Sequence, residues 1–133
     1  MRRLVVFAAL LLAACQFGSR QQNFAPARTG LGAQIRLLGS ERSTVRGELL
    51  EVSDSQLLFI RSDRRLTVAR FANLRHVTMD QLGVEYTWYP TMRDQQAWRR
   101  QARLVARYPQ GLTAEQRQQL LAASGQVALD TLR

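Results

Sequence analysis

Between residues 33 and 79, short apolar runs alternate with clusters of turn-forming residues such as Ser53-Asp54-Ser55. Runs of this length and pattern are typical of β-strands. The pattern predicts five strands, over Ala33 to Leu38, Thr44 to Val52, Gln56 to Arg61, Leu66 to Arg70 and Arg75 to Met79. Gly47, inside the longest run, predicts a sharp bend or a β-bulge.

A single helical turn, Phe71 to Leu74, is predicted directly before the fifth strand. Five short, bent strands with a one-turn helix before the last are the layout of a small β-barrel. The apolar side chains that such a barrel would bury are Val45, Leu49, Val52, Leu57, Phe59, Leu66, Val68, Leu74 and Val77.

The last third of the chain changes from a strand pattern to a helical pattern. Val84 to Tyr89 still alternates and predicts an extra strand. Trp98, Ala102 and Val105 then recur on one face of a helix predicted from Arg93 to Tyr108, because 3.6 residues make one helical turn.

Breaking and capping residues divide this helical part in two. Pro109 and Gly111 end the first helix. Thr113-Ala114-Glu115-Gln116 has the pattern of a capping box, which starts a second helix ending near Gly125. Its buried side would be formed by Leu120, Leu121 and Ala123. Residues 127–132 form a short tail for which the pattern favours neither a helix nor a strand. The predicted fold class is mainly β with α, a small five-stranded barrel followed by a C-terminal two-helix segment.

The N-terminus has the parts of a secretion signal. Arg2 and Arg3 form a positive start, Leu4 to Leu12 form an apolar stretch, and Ala13 and Ala14 are small enough for a signal peptidase. The apolar stretch is about half of the roughly 20 residues that a transmembrane helix needs, so a signal peptide is predicted rather than a permanent span.

Leu12-Ala13-Ala14-Cys15 resembles the lipobox of bacterial lipoproteins. The resemblance implies cleavage before Cys15 and acylation of that cysteine, and Gln16 beside it implies the outer membrane, facing the periplasm. The alternative is that Cys15 is an ordinary signal-peptide residue, or a buried thiol in a short helix. Acylation of the only cysteine would leave the mature chain without a thiol, so it could form no disulfide.

Val45-Arg46-Gly47-Glu48-Leu49-Leu50-Glu51-Val52-Ser53-Asp54 resembles the first motif of Sm proteins. The predicted barrel, about a third of the chain, is thus similar to Sm-like and SH3-like barrels. RNA-binding Sm proteins have an asparagine in the loop after the aspartate, where this chain has Ser55-Gln56. They also have Arg-Gly in the last strand, where Arg75 is followed by His76. The resemblance implies the fold and argues against RNA binding.

Four segments follow from these patterns. Residues 1–14 are predicted to be a cleaved signal peptide, and residues 15–32 a lipidated cysteine with a flexible tether, since few large apolar residues occur there. Residues 33–80 would form the barrel. Residues 81–133 would form the extra strand and a helical hairpin.

The chain is strongly basic, with a formal charge of +9, and all of its basic side chains are arginines. A basic exported protein could bind anionic lipids, lipopolysaccharide phosphates or acidic polymers. The candidate anion-binding residues are Arg99, Arg100, Arg103 and Arg107 on the first helix, and Arg61, Arg64 and Arg65 in a turn. Two alternatives remain: the helical arginines form an ordinary solvated face, and the all-arginine usage reflects a GC-rich genome.

Aromatic side chains offer a second candidate surface. Tyr86, Trp88, Tyr89 and Trp98 could stack on a ligand, or could instead join the barrel to the helices by burying their large rings. The second interpretation is favoured.

Residues suited to catalysis are few. His76 is the one histidine, no nucleophile motif accompanies it, and no cluster has the spacing of metal ligands or of a phosphate-binding loop. We therefore expect no metal, no cofactor and no enzymatic activity. A hydrolase that uses His76 remains a third hypothesis.

The sequence thus predicts a membrane-anchored envelope lipoprotein that acts as a non-enzymatic binding or structural module in the periplasm. Its expected partners are the membrane, through the lipid on Cys15, and a periplasmic protein or an anionic envelope polymer. The alternative is a basic, polyanion-binding Sm-like barrel, whose ligand would be nucleic acid only if the export signal is misinterpreted.

Overall fold

The computed structural model describes residues 30–81 and 83–133, so the predictions for the signal peptide, Cys15 and most of the tether lie outside the described residues. The strands are β1 Gln34–Gly39, β2 Thr44–Val52, β3 Gln56–Arg61, β4 Leu66–Arg70, β5 Leu74–Gln81, β6 Val84–Trp88 and β7 Asp130–Leu132. The helices are α1 Gln95–Val105 and α2 Ala114–Ala123, and a 3-10 turn covers Phe71–Asn73.

The mainly β fold class with two helices is confirmed, and β2, β3 and β4 have the predicted bounds. The closed five-stranded barrel is wrong. The strands form one open sheet in the order β6-β5-β1-β2-β3-β4-β7. Two additional strands lengthen it, because β6 pairs antiparallel with the outer side of β5 and β7 pairs parallel with the outer side of β4.

Strand β2 contains the irregularity that its sequence predicted. Its register against β3 shifts between Leu49 and Glu51. This extra residue lets Leu49 and Val52, three positions apart, both face the same core. Glycine is required at position 47, because a Cβ atom there would overlap the carbonyl oxygen of Ile60 on β3.

The sheet buries a core on each of its two faces. β3 shows this directly, since Leu57 and Phe59 belong to the larger core whereas Leu58 and Ile60 belong to the smaller one. Trp98, Ala102 and Val105 of α1 pack in the larger core, as their spacing predicted. The smaller core consists of Leu50, Leu58 and Leu66, with Ile60, Val68, Tyr108, Leu112, Leu120, Leu121 and Leu129 partly buried against it.

The predicted core is confirmed for most of its positions, while Val45 and Val68 are only partly buried. The helical hairpin does not form, because α1 and α2 contribute to cores on opposite faces of the sheet. In α2, Leu120 and Leu121 are partly buried as predicted, but Ala123 is exposed.

The chain passes from one face to the other immediately after α1. The helix ends at Val105 rather than at Tyr108, because Ala106 adopts an extended conformation. The Arg107 and Tyr108 N–H groups then donate to the carbonyl oxygens of Leu49 and Leu50, at 3.0 and 2.9 Å. β1 ends its strand pairing with β2 at Gln34 and Glu48. Beyond that pair the Leu49 N–H donates to the Ala33 carbonyl at 2.9 Å, while the Leu49 and Leu50 carbonyls accept the crossing chain.

Side-chain hydrogen bonds hold the C-terminal segment at the start of α2 and at Gln126. The predicted capping box is present, with the Thr113 hydroxyl accepting from the Gln116 N–H and the Gln116 side chain accepting from the Thr113 N–H. The Gln126 side-chain amide accepts from the Leu66 N–H at 2.6 Å and donates to the Leu66 carbonyl at 3.1 Å. It therefore occupies the β4 edge just before β7 begins.

Candidate functional site

The four candidate arginines at α1 have different surroundings. The Arg103 Nε donates to the Val52 carbonyl at 3.0 Å, and its guanidinium bonds the Asp54 carboxylate at 2.5 Å. The Arg99 Cζ lies 4.8 Å from the centre of the Phe71 ring, a cation–π arrangement. Arg100 is exposed. The four side chains therefore do not present one continuous arginine surface.

Arg107 lies beyond the helix and forms a two-pronged ion pair with Glu48. Its Nε and a terminal nitrogen donate to the two carboxylate oxygens at 2.7 and 2.6 Å. The side chains of Arg107 and Glu48 are only 26% and 12% exposed. Partial burial lowers the pKa of Arg107, but the hydrogen bond and charge of Glu48, assisted by Tyr108, raise that pKa above its ordinary value overall.

A row of three acidic residues holds the C-terminal part of the chain to the sheet. Glu48, Glu51 and Asp54 are three positions apart, on β2 and in the turn after it. They pair with Arg107, Arg117 and Arg103 in that order. The Glu51 carboxylate also accepts from the backbone N–H of Leu112 at 3.1 Å. Arg103 and Arg107 therefore have structural partners, and their predicted role in binding anions stays a prediction.

The three arginines of the β3–β4 turn are also distributed among different partners. The Arg61 guanidinium lies 2.9 Å from Asp63. Arg65 forms a two-pronged pair with Asp130 of β7, at 2.5 and 2.8 Å. This hydrogen bond raises the pKa of Arg65 and lowers the pKa of Asp130. Arg64 is exposed, with a positive φ of 65°.

Two of the four candidate aromatic residues join the sheet to α1. Trp88 and Trp98 are 2% and 6% exposed. Their rings lie 4.9 and 6.2 Å from the Phe71 ring, so the interpretation that they fill the interface is confirmed for these two. Tyr86 is partly buried against the same core. Tyr89 is half exposed, with its ring 5.9 Å from that of His76.

One part of the sheet presents a polar surface outside both cores. We define the polar face as the side of β2, β1, β5 and β6 opposite the larger core. Its charged residues include Arg36, Arg46, Asp80 and Glu85. These four, with Gln34, Ile35 and Thr78, line a groove of about 280 Å³.

Strand register places like charges side by side in this groove. Arg36 of β1 is directly opposite Arg46 of β2, and Asp80 of β5 is directly opposite Glu85 of β6. One ion pair joins the two sets, between Arg36 and Glu85 at 3.4 Å. The arrangement can hold an anionic group at one end and a cationic group at the other.

The sequence alone does not predict this groove. The alternation of Gln34 and Arg36 with buried Ile35 and Leu37 does indicate a strand with one polar side. Arg46 and Asp80 are more than thirty positions apart in the sequence. They line the same groove because β1 pairs with both β2 and β5. That pairing leaves no local signal in the sequence.

No group of three or more metal-binding side chains is found among residues 30–81 and 83–133. Within the same residues, no helix has both the length and the apolar character that crossing a membrane requires. His76 lies on β5, partly buried, with Tyr89 as its aromatic neighbour.

No protein-family model, curated protein or solved structure matches this chain.

Proposed function

We propose that this protein is a membrane-anchored envelope lipoprotein whose folded domain is a non-enzymatic binding module in the periplasm. The anchoring part is supported by the Leu12-Ala13-Ala14-Cys15 lipobox after a short apolar stretch. Two or three acyl chains on Cys15 would hold the protein on the membrane, because each buried methylene adds about 0.8 kcal/mol. Gln16 supports the outer membrane as its location.

The observation that carries the binding part is the polar face. The opposite side of the same strands is filled by the larger core, and the outer side of β3 and β4 is covered by the smaller one. The polar face instead forms an open groove with two arginines and two carboxylates. A surface of this kind suits recognition of a charged partner rather than packing within the chain.

The anchor is tested by the intact mass of the protein from the membrane fraction, compared with a Cys15→Ala variant. We expect the natural protein to lack residues 1–14 and to carry acyl mass, and the variant to keep its signal peptide. A full-length, unmodified natural protein in the soluble fraction would refute the proposal.

The polyanion-binding alternative is supported by exposed arginines that have no ion pair within the described ranges: Arg42, Arg46, Arg64, Arg70, Arg75, Arg93 and Arg100. This version keeps the Sm-like resemblance only for the arrangement of β1 to β5. It predicts binding to lipopolysaccharide or phosphatidylglycerol vesicles that weakens steeply as salt rises, because counterion release drives such binding. Affinity that is insensitive to salt would exclude it.

A further inference from the structure

We propose that the groove of the polar face binds a short zwitterionic peptide, with Asp80 receiving its terminal ammonium group and Arg46 its terminal carboxylate. This inference rests on the proposed binding function and names the ligand class for that surface.

The charges in this groove are arranged at a cost to the stability of the sheet. Like charges directly opposite each other on neighbouring strands destabilise a sheet. This groove contains two such pairs, Arg36 with Arg46 and Asp80 with Glu85. All four side chains lie outside both cores, so packing of the apolar side chains does not require either pair. A ligand that neutralises the charges at both ends of the groove would account for the presence of these two like-charge pairs.

Two of the four charges in the groove have no ion pair among the described residues. Arg36 and Glu85 pair with each other at 3.4 Å across β5, with side chains 42% and 62% exposed. Arg46 and Asp80 are exposed and form no ion pair in the part of the chain that the structure describes. The groove therefore offers one free cation and one free anion among the described residues, which is the complement of a zwitterion.

The separation between Asp80 and Arg46 suits a peptide better than a smaller zwitterion. Asp80 is on β5 and Arg46 is on β2, with β1 between them. Neighbouring strands are about 4.8 Å apart, so β5 and β2 are about 10 Å apart across the sheet. The residue of β2 in line with Asp80 is Glu48, and Arg46 lies two positions further along the strand, so the two backbone positions are about 12 Å apart. The guanidinium of Arg46 can shorten this span, but a single amino acid or a phosphoethanolamine group holds its opposite charges too close together. A peptide of two or three residues spans the distance.

The groove also has a suitable volume and suitable polar groups. Its volume of about 280 Å³ is close to the roughly 300 Å³ at which small-ligand sites begin. The Gln34 side chain, which lies beside Asp80 in the strand register, is exposed and can bond peptide groups. A peptide therefore finds partners for its backbone as well as for its two ends.

The test is calorimetric titration of the full mature protein in detergent micelles with trialanine that has free termini. We expect millimolar binding, and a roughly tenfold loss of affinity in Arg46→Gln and in Asp80→Asn, because each removes one charge-assisted hydrogen bond. N-acetyl-trialanine and trialanine amide, which lack one charge each, should show the same loss against the natural protein.

Two matched variants serve as controls. Arg75→Gln and Glu41→Gln remove the same charges from exposed positions that do not line the groove, and each should bind trialanine normally. Both groove variants should fold, since their side chains are exposed, and thermal unfolding measures this separately.

Absence of trialanine binding would overturn the inference, as would binding that Arg46→Gln and Asp80→Asn leave unchanged. Stronger binding of glycerophosphoethanolamine than of trialanine would also overturn it, in favour of a lipid headgroup. The state of Cys15 is measured independently by mass. Acylated protein that fails to bind refutes the ligand and keeps the anchor, whereas unacylated protein that binds does the reverse.

Discussion

The outer side of the sheet has two halves that differ in what covers them. Over β3 and β4 it is apolar, and α2 with the C-terminal tail packs on Leu50, Leu58 and Leu66. Over β1, β5 and β6 it is polar and forms an open groove. β3 has apolar residues on both sides and therefore needs a covering layer on each, whereas β1 alternates and needs only one. The pattern of apolar residues thus decides which part of the sheet the chain covers itself and which part remains open as a surface.

The largest expected difference between the halves is in the cost of truncating a side chain. Leu58→Ala should lower the free energy of unfolding by about 2–5 kcal/mol, because it opens a cavity in the smaller core, where Leu58 is 4% exposed. Gln34→Ala on the polar face should change it by less than about 0.5 kcal/mol. Urea unfolding of both variants measures the two values, and equal losses would contradict the division into covered and open halves.

The next largest effect on stability is expected just after α1, where the chain crosses from one face of the sheet to the other. Glu48→Gln should cost about 2 kcal/mol, because it leaves the partly buried Arg107 without its counter-charge. The matched control is Asp54→Asn, which removes a carboxylate with 92% exposure from its pair with Arg103 and should have little effect. A denaturant midpoint that is the same for both variants would mean that the Glu48 pair does not hold the crossing.

A smaller effect is expected when the pH is lowered, because the Arg65–Asp130 ion pair lies at the edge of the half that α2 covers. The hydrogen bond from Arg65 lowers the pKa of Asp130 below its ordinary value of 3.8 in the folded state. A lowered pKa stabilises the fold fully above the unfolded value, and this contribution is lost as pH falls through the folded value. The difference in melting temperature between the natural protein and Asp130→Asn should therefore narrow below pH 3.8. A difference that stays constant through that range would exclude this linkage.

The smallest expected effect has the opposite sign. Arg46→Gln should raise the melting temperature by about 1–3 °C, because it removes the like charge facing Arg36 across β1 and β2. Differential scanning calorimetry measures this shift, with Arg75→Gln as the neutral control. A lower melting temperature in Arg46→Gln would mean that Arg46 stabilises the fold, and that no ligand is needed to account for the Arg36–Arg46 pair.

Much of the fold could be predicted because local pattern and turn chemistry agree. The bounds of β2, β3 and β4 and the capping box at Thr113 follow from residues close together in the chain. The second core is not predicted, because the side chains expected to be buried on β3 are Leu57 and Phe59, whereas Leu58 points to the opposite face. Alternation alone does not show that a covering element arrives from far along the sequence.

The candidate site could be predicted only in part, for the same reason. Arg103 in α1 and Arg107 just after it are visible in the sequence, but their partners Asp54 and Glu48 are about fifty positions or more away. The groove depends on Arg46 and Asp80 meeting across β1, which only strand register decides. Local sequence shows which side chains are charged, and tertiary pairing shows which of them remain without a partner.

The crossing at the β2 bulge joins parts of the chain that are synthesised at different times. The bonds from Arg107 and Tyr108 to Leu49 and Leu50 link residues nearly sixty positions apart. Since synthesis proceeds from the N-terminus, β2 emerges well before residues 106–133 exist. We expect the nascent chain to expose the leucines of β2, β3 and β4 that α2 later covers. If the chain is exported before it folds, these leucines would be exposed on the far side of the membrane rather than in the cytoplasm.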